Sequence, residues 1–316
     1  MKALYIDSYG DLGVMKLGEL PRPMAGAGEV LVEVRATSVN PIDWKIRSGD
    51  FKFVSGSRFP KVLCGDLAGV VSEVGPGVTG VAVGDAVYGY SPIYLRKQGA
   101  LAEFVAVAAK RVRPLPEGVS FEQAASLPVA ALTALQGIRL ASPVEGKRVL
   151  INGATGGVGH FAVQIAKARG AEVTAVCSAR NAEFARGLGA DEVIDYREQD
   201  VTQLGRQWDL FFDAYGQLGF SAARPALAPK GLYETTLGRP KSFFQSVWRK
   251  LVGGPQIAMV NMRGRPEDYA ELEALLASGA VTPVIDETYP LERATEAFAA
   301  LEAGGKTRGK VVVTVG

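Results

Sequence analysis

Four of the seven residues in Gly153-Ala154-Thr155-Gly156-Gly157-Val158-Gly159 are glycine. The run lies between an apolar stretch, Val149-Leu150-Ile151-Asn152, and a segment with helical periodicity. Strand, glycine turn and helix in that order aim main-chain N–H groups and the positive end of a helix at one point, an arrangement that binds a pyrophosphate. Gly156 and Gly157 let the backbone approach phosphate oxygens, and Gly159 lets helix and strand pack closely. A bare turn rarely needs so many glycines. The chemistry predicted here is dinucleotide binding.

The next strand-like run, Glu172-Val173-Thr174-Ala175-Val176-Cys177, ends about twenty residues after the glycines, where a domain built for NAD places an acid on the ribose 2′-hydroxyl. This chain instead reads Ser178-Ala179-Arg180. A hydroxyl and a guanidinium can bond a 2′-phosphate that a carboxylate would repel, so the expected cofactor is NADPH rather than NADH.

Other chemistries lack their residues. The chain has one histidine, His160, and two cysteines, Cys64 and Cys177. A catalytic zinc needs three protein ligands and a structural zinc loop typically four closely spaced cysteines, so no metal site is predicted. No Gly-x-Ser-x-Gly elbow occurs, and His160 follows the glycine turn, where a polar helix-face position is expected for it. The cysteines read as small buried residues rather than a bridge, in keeping with a reducing compartment. The 35 basic and 33 acidic side chains alternate without a single-sign block, so no nucleic-acid partner is expected. No run of about eighteen apolar residues exists to span a bilayer, and Met1-Lys2-Ala3-Leu4-Tyr5-Ile6 lacks the marks of a signal or transit segment. A cytoplasmic protein is the expectation.

Two kinds of element must position these residues. The first third alternates with period two: Val30, Val32 and Val34 share one face of a strand, with Glu33 and Arg35 on the other. Gly75-Pro76-Gly77, Gly80 and Gly84-Asp85 punctuate the runs Val70 to Val74 and Ala86 to Tyr88, as in a compact barrel of short strands. From Lys147 strands and helices alternate, which builds a parallel sheet. The strands are placed at Arg148 to Asn152, Glu172 to Cys177, Glu192 to Tyr196, Trp208 to Ala214, Leu232 to Thr236 and Ile257 to Met262. Val158 to Arg169 reads as a helix whose apolar stripe opposes His160, Gln164 and Lys167, and Asn181 and Gly189 as the caps of the next helix. Further helices are expected from Pro266 to Ser278 and from Leu291 to Ala303, before a last strand, Lys310 to Val315, that returns to the first domain. The change of period divides the chain into 1–119 with 263–316, and 120–262.

The chain resembles the zinc-independent quinone oxidoreductases, zeta-crystallin-like members of the medium-chain dehydrogenase/reductase superfamily. It is close to the chloroplast envelope and mitochondrial quinone-reductase-like proteins. The markers are Ser38-Val39-Asn40-Pro41-Ile42-Asp43-Trp44-Lys45-Ile46-Arg47-Ser48-Gly49, Gly65-Asp66-Leu67-Ala68-Gly69-Val70-Val71, Leu127-Pro128 with Thr133, the glycine turn, Leu188-Gly189-Ala190-Asp191 and Arg308-Gly309-Lys310-Val311-Val312. Zinc-containing members carry Gly-His-Glu where this chain has Gly65-Asp66-Leu67.

The resemblance implies an α/β protein in which a GroES-like β-barrel domain is joined to a Rossmann domain, a doubly wound parallel sheet. Matching motif positions put Asn40 and Thr133 near the nicotinamide, and Thr155, Gly156, Gly157 and Val158 near the pyrophosphate. Ser178, Arg180 and Tyr196 would surround the 2′-phosphate, with Thr307 and Arg308 reaching the cofactor from the other domain. A homodimer through the edge strand Ile257 to Met262 is also implied. Hydride transfer to a quinone or enone needs alignment in a dry cleft and no obligatory catalytic side chain, the proton coming from solvent or from a hydroxyl such as Tyr88. The alternatives are a reductase of enals, enones or enoyl thioesters, differing around Trp44, Tyr88, Tyr90 and Lys241 to Val252, and a non-catalytic NADPH-binding redox sensor or structural protein. A zinc alcohol dehydrogenase is the remaining option.

Overall fold

The computed structural model describes residues 1–93, 98–236, 253–305 and 307–316, so Lys241 to Val252 lies outside the described residues. In chain order the elements begin with β1 (Lys2–Ile6), β2 (Met15–Glu19), β3 (Glu29–Val39), α1 (Pro41–Ser48), α2 (Lys52–Ser55), β4 (Lys61–Val62), β5 (Asp66–Val74) and β6 (Ala86–Tyr90). They continue with β7 (Phe104–Ala108), β8 (Val112–Pro114), α3 (Phe121–Ala125) and α4 (Pro128–Leu140). The alternating part follows: β9 (Arg148–Asn152), α5 (Gly159–Ala168), β10 (Glu172–Cys177), α6 (Ala182–Gly187), β11 (Glu192–Asp195), β12 (Trp208–Asp213), α7 (Phe220–Ala223), β13 (Leu227–Thr235), β14 (Gln256–Met259) and α8 (Pro266–Ala277). The chain ends with β15 (Ile285–Pro290), α9 (Ala294–Glu302) and β16 (Lys310–Thr314).

Two compact units result, one of Met1–Val129 with Ile285–Gly316, the other of Ala130–Val284. These limits differ from the 119/120 and 262/263 breaks expected from the change of period. α3, helical by period, packs on β3 and β5 and so stays with the first unit. α8 stays with the second because Asp268 and Glu271 pair with Arg139 of α4, and Glu271 also with Arg169 beyond α5. Periodicity names an element's type, but its partners decide which unit holds it.

In the first unit a mixed sheet runs β15-β16-β3-β5-β6-β8, with β7 also on β3, and a small sheet runs β2-β1-β4. The last strand returns as expected, β16 lying antiparallel to β3 with Val311 opposite Val39. β3 does not alternate cleanly, since Leu31 is buried along with Val30 and Val32. The register shifts between Leu31 and Val32, and again between Val34 and Ala36, twist the strand so that both faces meet core.

The second unit holds a fully parallel sheet in the order β11-β10-β9-β12-β13-β14, the Rossmann order with its topological switch between β9 and β12. β9 and β10 match their expected limits to the residue. α5 departs from the amphipathic surface helix expected, since Gly159 to Ala166 are all buried. Its polar side is covered by a distant segment: Gln164 Nε2 donates to the Thr282 carbonyl at 3.1 Å, and Thr282 N returns a bond to Gln164 Oε1 at 2.8 Å. His160 is buried too, with Nδ1 3.0 Å from the Gly156 carbonyl and Nε2 accepting from Val284 N at 3.3 Å. The sole histidine is thus a staple that needs its neutral, Nδ1-protonated form. Asn181 precedes α6 without a side-chain cap bond. Cys64 and Cys177 are free and buried.

Among the described residues one buried carboxyl in this unit has no hydrogen-bond partner. Glu234 of β13 packs against Gly137 of α4, where any Cβ would come within 2.8 Å of its Oε1. Neither of its carboxyl oxygens finds a hydrogen bond among the described residues, and burial alone drives its pKa well above the carboxylate range. A raised folded-state pKa means that stability present below the unfolded pKa is lost as pH climbs toward the folded one, at up to about 1.4 kcal/mol per pH unit. Glu234→Gln removes that proton linkage. In urea titrations at pH 5 and pH 8 the wild type is expected to lose more stability than the variant on going to the higher pH. Equal losses would show that Glu234 stays ionised in the fold.

Candidate cofactor-binding site

At the carboxyl edge of the parallel sheet the chain leaves β9 through Gly153, whose φ of 76° is left-handed, and enters α5 at Gly159. A Cβ on Gly159 would lie 2.0 Å from the Gly153 carbonyl oxygen, so the turn closes on itself only if that residue is glycine. Around Gly156 a Cβ would meet only the Gly153 oxygen, at 3.4 Å, leaving open space above the turn. Gly156 N donates to Gly153 O at 3.1 Å and Ala154 N to Val176 O at 3.2 Å. Among the described residues the amides of Thr155, Gly157 and Val158 find no acceptor. These N–H groups lie beside a helix start, where backbone amides without an internal acceptor can bind an anion.

The turn after β10 is tied to this one. Asn181 Nδ2 donates to Thr155 Oγ1 at 3.2 Å, a contact that sequence reasoning missed because Asn181 reads as a helix cap. Ser178 is buried at the mouth of the turn, whereas Arg180 is exposed. The register places Asp195 of β11 opposite Cys177, and its carboxylate accepts from Ala179 N and Arg197 N, both at 2.9 Å. Tyr196 follows, half exposed. The structure therefore brings Thr155, Gly156, Gly157, Val158, Ser178, Arg180 and Tyr196 to one rim of the second unit. Thr133 lies buried on α4 of the same unit.

Asn40, Thr307 and Arg308 belong to the first unit. Asn40 is buried before α1, and its amide is committed at both ends: Nδ2 donates to Asp66 Oδ2 at 2.7 Å, and Oδ1 accepts from Lys310 Nζ at 2.6 Å. Asp66 further accepts from Ser38 Oγ at 2.6 Å and Val129 N at 2.9 Å, and lies 3.5 Å from the Lys310 ammonium. Asp43 accepts from Asn40 N at 2.7 Å, and burial lifts its carboxyl to about 7. Burial also pushes the Cys64 thiol up and the Lys310 ammonium down, the latter opposed by Asp66 and Asp43. Sequence spacing gave no sign of this polar core, because Lys310 sits in an apolar strand that only the fold carries to Asn40. Thr307 and Arg308 lead into the same strand. Tyr88, weighed as a proton donor, is fully buried, as is Tyr90 nearly so.

Residues 26–117 match the model of the alcohol dehydrogenase GroES-like domain, and residues 188–313 that of the zinc-binding dehydrogenases. The chloroplast envelope quinone oxidoreductase homolog of Arabidopsis thaliana is 35% identical over 99% of this chain and 98% of its own. The chloroplastic NADPH-dependent alkenal/one oxidoreductase of the same plant is 34% identical over 99% of this chain and 79% of its own. Among solved structures, the quinone oxidoreductase from Coxiella burnetii superposes with a TM-score of 0.91 at 31% identity, covering 100% of this chain and 99% of that one. The expected pairing of a GroES-like domain with a Rossmann domain is thereby confirmed. The chain belongs to the quinone oxidoreductase family of the medium-chain dehydrogenase/reductase superfamily.

Proposed function

We propose that this chain is an NADPH-dependent, zinc-independent oxidoreductase that delivers hydride to a quinone or a similar carbonyl-conjugated acceptor. The observation that carries this reading is the set of amides at Thr155, Gly157 and Val158 that have no acceptor among the described residues, a cradle suited to a diphosphate. Ser178, Arg180 and Tyr196 along the same rim supply a hydroxyl, a guanidinium and a phenol for a 2′-phosphate. The neighbouring acid, Asp195, spends its oxygens on two main-chain amides and so holds the turn instead of a ribose hydroxyl.

When bound, reduced nicotinamide would supply the hydride. The chain's own task is to hold the reactants in register and exclude water. In this reading Asn40 and Thr133 serve the nicotinamide end, Gly156 gives the phosphates room, and Thr307 and Arg308 complete the cofactor's enclosure. The buried position of Tyr88 favours solvent as the proton source.

The residues of the polar core do not fit a zinc ion. Asp66 is taken up by Ser38, Asn40 and Val129, and the Lys310 ammonium already supplies a positive charge there. Among the described residues no group of three or more His, Cys, Asp or Glu side chains could hold a metal.

An enal or enone is the second acceptor class, favoured by the resemblance to an alkenal/one oxidoreductase. No described helix is long and apolar enough to cross a membrane. The reading includes a cytoplasmic location, which two free thiols suit, and a homodimer through β14, whose only described strand partner is β13.

The test is a titration of wild type and Arg180→Ala with NADPH and NADH, together with turnover on a panel of quinones and enones. Wild type should prefer NADPH, and the variant should lose about 1.5 to 3 kcal/mol of that preference, the worth of a charge-assisted contact. Equal weakening toward both cofactors would remove Arg180 from the 2′-phosphate site, and failure to bind either would end the cofactor reading.

A further inference from the structure

One buried ring links the glycine turn to the segment on which the chain leaves the second unit. Val284 is the last residue of that unit, and Ile285 opens β15 in the first. Just before the crossing, Thr282-Pro283-Val284 is tied to α5 by two side chains one helical turn apart, His160 and Gln164. Pro283 has no N–H to give, and the amides on either side of it both donate to the helix. Thr282 N donates to Gln164 Oε1 at 2.8 Å and Val284 N to His160 Nε2 at 3.3 Å. The other imidazole nitrogen, Nδ1, lies 3.0 Å from the Gly156 carbonyl oxygen, which also accepts from His160 N at 3.0 Å. A carbonyl only accepts, so Nδ1 carries the proton and Nε2 is the acceptor.

The Gly156 carbonyl and the Gly157 N–H are the two ends of one peptide group, which is planar and trans, so they point in opposite directions. An imidazole that holds the oxygen therefore aims the amide. Gly157 N is one of the three turn amides that find no acceptor among the described residues. Three donors thus stand in series and in the same sense: Val284 N–H gives to the ring, the ring gives to Gly156 O, and Gly157 N–H gives outward from the turn. Hydrogen bonds in such a chain polarise one another, so an anion that accepts from Gly157 N–H strengthens the bonds behind it. His160 is fully buried, and water does not compete for either of its nitrogens.

We infer that His160 is a positioning residue that couples occupancy of the glycine turn to the segment entering β15. Braced by Val284, the ring orients the Gly157 amide toward a diphosphate, and a bound diphosphate in turn tightens the hold on Val284. The effect is reciprocal by necessity, since two events that share one free energy of coupling change each other by the same factor. The inference rests on the cofactor reading above, but it concerns a side chain that itself offers nothing to the cofactor, both of its nitrogens being engaged within the second unit.

Amide hydrogen exchange of Val284 in the full chain, followed by NMR with and without saturating NADPH, tests it. In the wild type NADPH is expected to slow that exchange about fivefold, the lower end of the coupling found between linked sites. His160→Asn keeps a donor near the place of Nδ1 for Gly156 but offers nothing to Val284, whereas His160→Gln reaches Val284 but not Gly156. In both variants saturating NADPH should change Val284 exchange by less than about twofold, because the series is broken at one link or the other. By reciprocity His160→Asn should bind NADPH about fivefold more weakly than wild type in calorimetric titration. Variants that keep the full slowing by NADPH would make His160 a structural staple only and overturn the inference. So would a wild type whose Val284 exchange ignores bound NADPH, a result that needs no variant to fold. A wild type that binds no NADPH overturns the cofactor reading instead.

Discussion

Lys310→Met is expected to destabilise the protein by about 3 to 5 kcal/mol, the loss typical when one member of a buried charge pair is removed. The ammonium is fully buried, 2.6 Å from Asn40 Oδ1 and 3.5 Å from Asp66. Without it Asn40 Oδ1 loses its donor, and two buried carboxyls, Asp43 and Asp66, face each other without a cation. Urea unfolding at pH 7.5 measures the loss, and a deficit under about 1 kcal/mol would show that the cation adds nothing. The double variant Lys310→Met, Asp66→Asn should recover part of it, because the stranded charge goes with the lysine.

The deficit should also depend on pH with a fixed sign. Asp43 already holds its proton up to about 7, against an ordinary value of 3.8, and loss of the cation pushes it higher. Its contribution is fully present below the unfolded value and is lost as pH rises through the folded one. Lys310→Met should therefore be milder at pH 5 than at pH 8. A deficit that grows on acidification would mean that another group controls it.

How much of this was legible in advance depends on the range over which each feature is encoded. β9 and β10 could be delimited to the residue because buried parallel strands are short apolar runs bounded by turn residues. β13 begins at Leu227, five residues before the expected Leu232, because Pro229-Lys230-Gly231 reads as a break. The fold absorbs those residues in a register shift, Trp208 opposing Leu227 while Leu210 opposes Leu232. The burial of His160 and Gln164 was hidden for a similar reason, since the segment covering them lies more than a hundred residues away. The glycine turn is a local structure and was visible as such. The polar core around Asn40 joins residues from both ends of the chain, and buried Asp213, which accepts from Asn152 of β9 and Tyr233 of β13, joins three strands; neither leaves a spacing that could be read.

The glycine turn itself supplies the sharpest test of the candidate site, because two of its glycines have different reasons to be glycine. At Gly159 the objection is internal: a Cβ would stand 2.0 Å from the Gly153 oxygen and 2.8 Å from Ala154 Cα, both backbone atoms that cannot turn aside. Gly159→Ala must open the turn, at about 1 to 3 kcal/mol of stability for overpacking, and must move the amides of Thr155, Gly157 and Val158 off their common target. NADPH affinity is expected to fall at least about a hundredfold, or ~2.7 kcal/mol. At Gly156 the nearest atom to a Cβ is at 3.4 Å, an ordinary contact, so Gly156→Ala should unfold at the same urea concentration as wild type. The added methyl would nevertheless occupy the open side of the turn and weaken NADPH about tenfold. Stability and affinity thus separate across the pair, and a Gly156→Ala protein that binds NADPH at full strength would place the diphosphate somewhere other than above this turn.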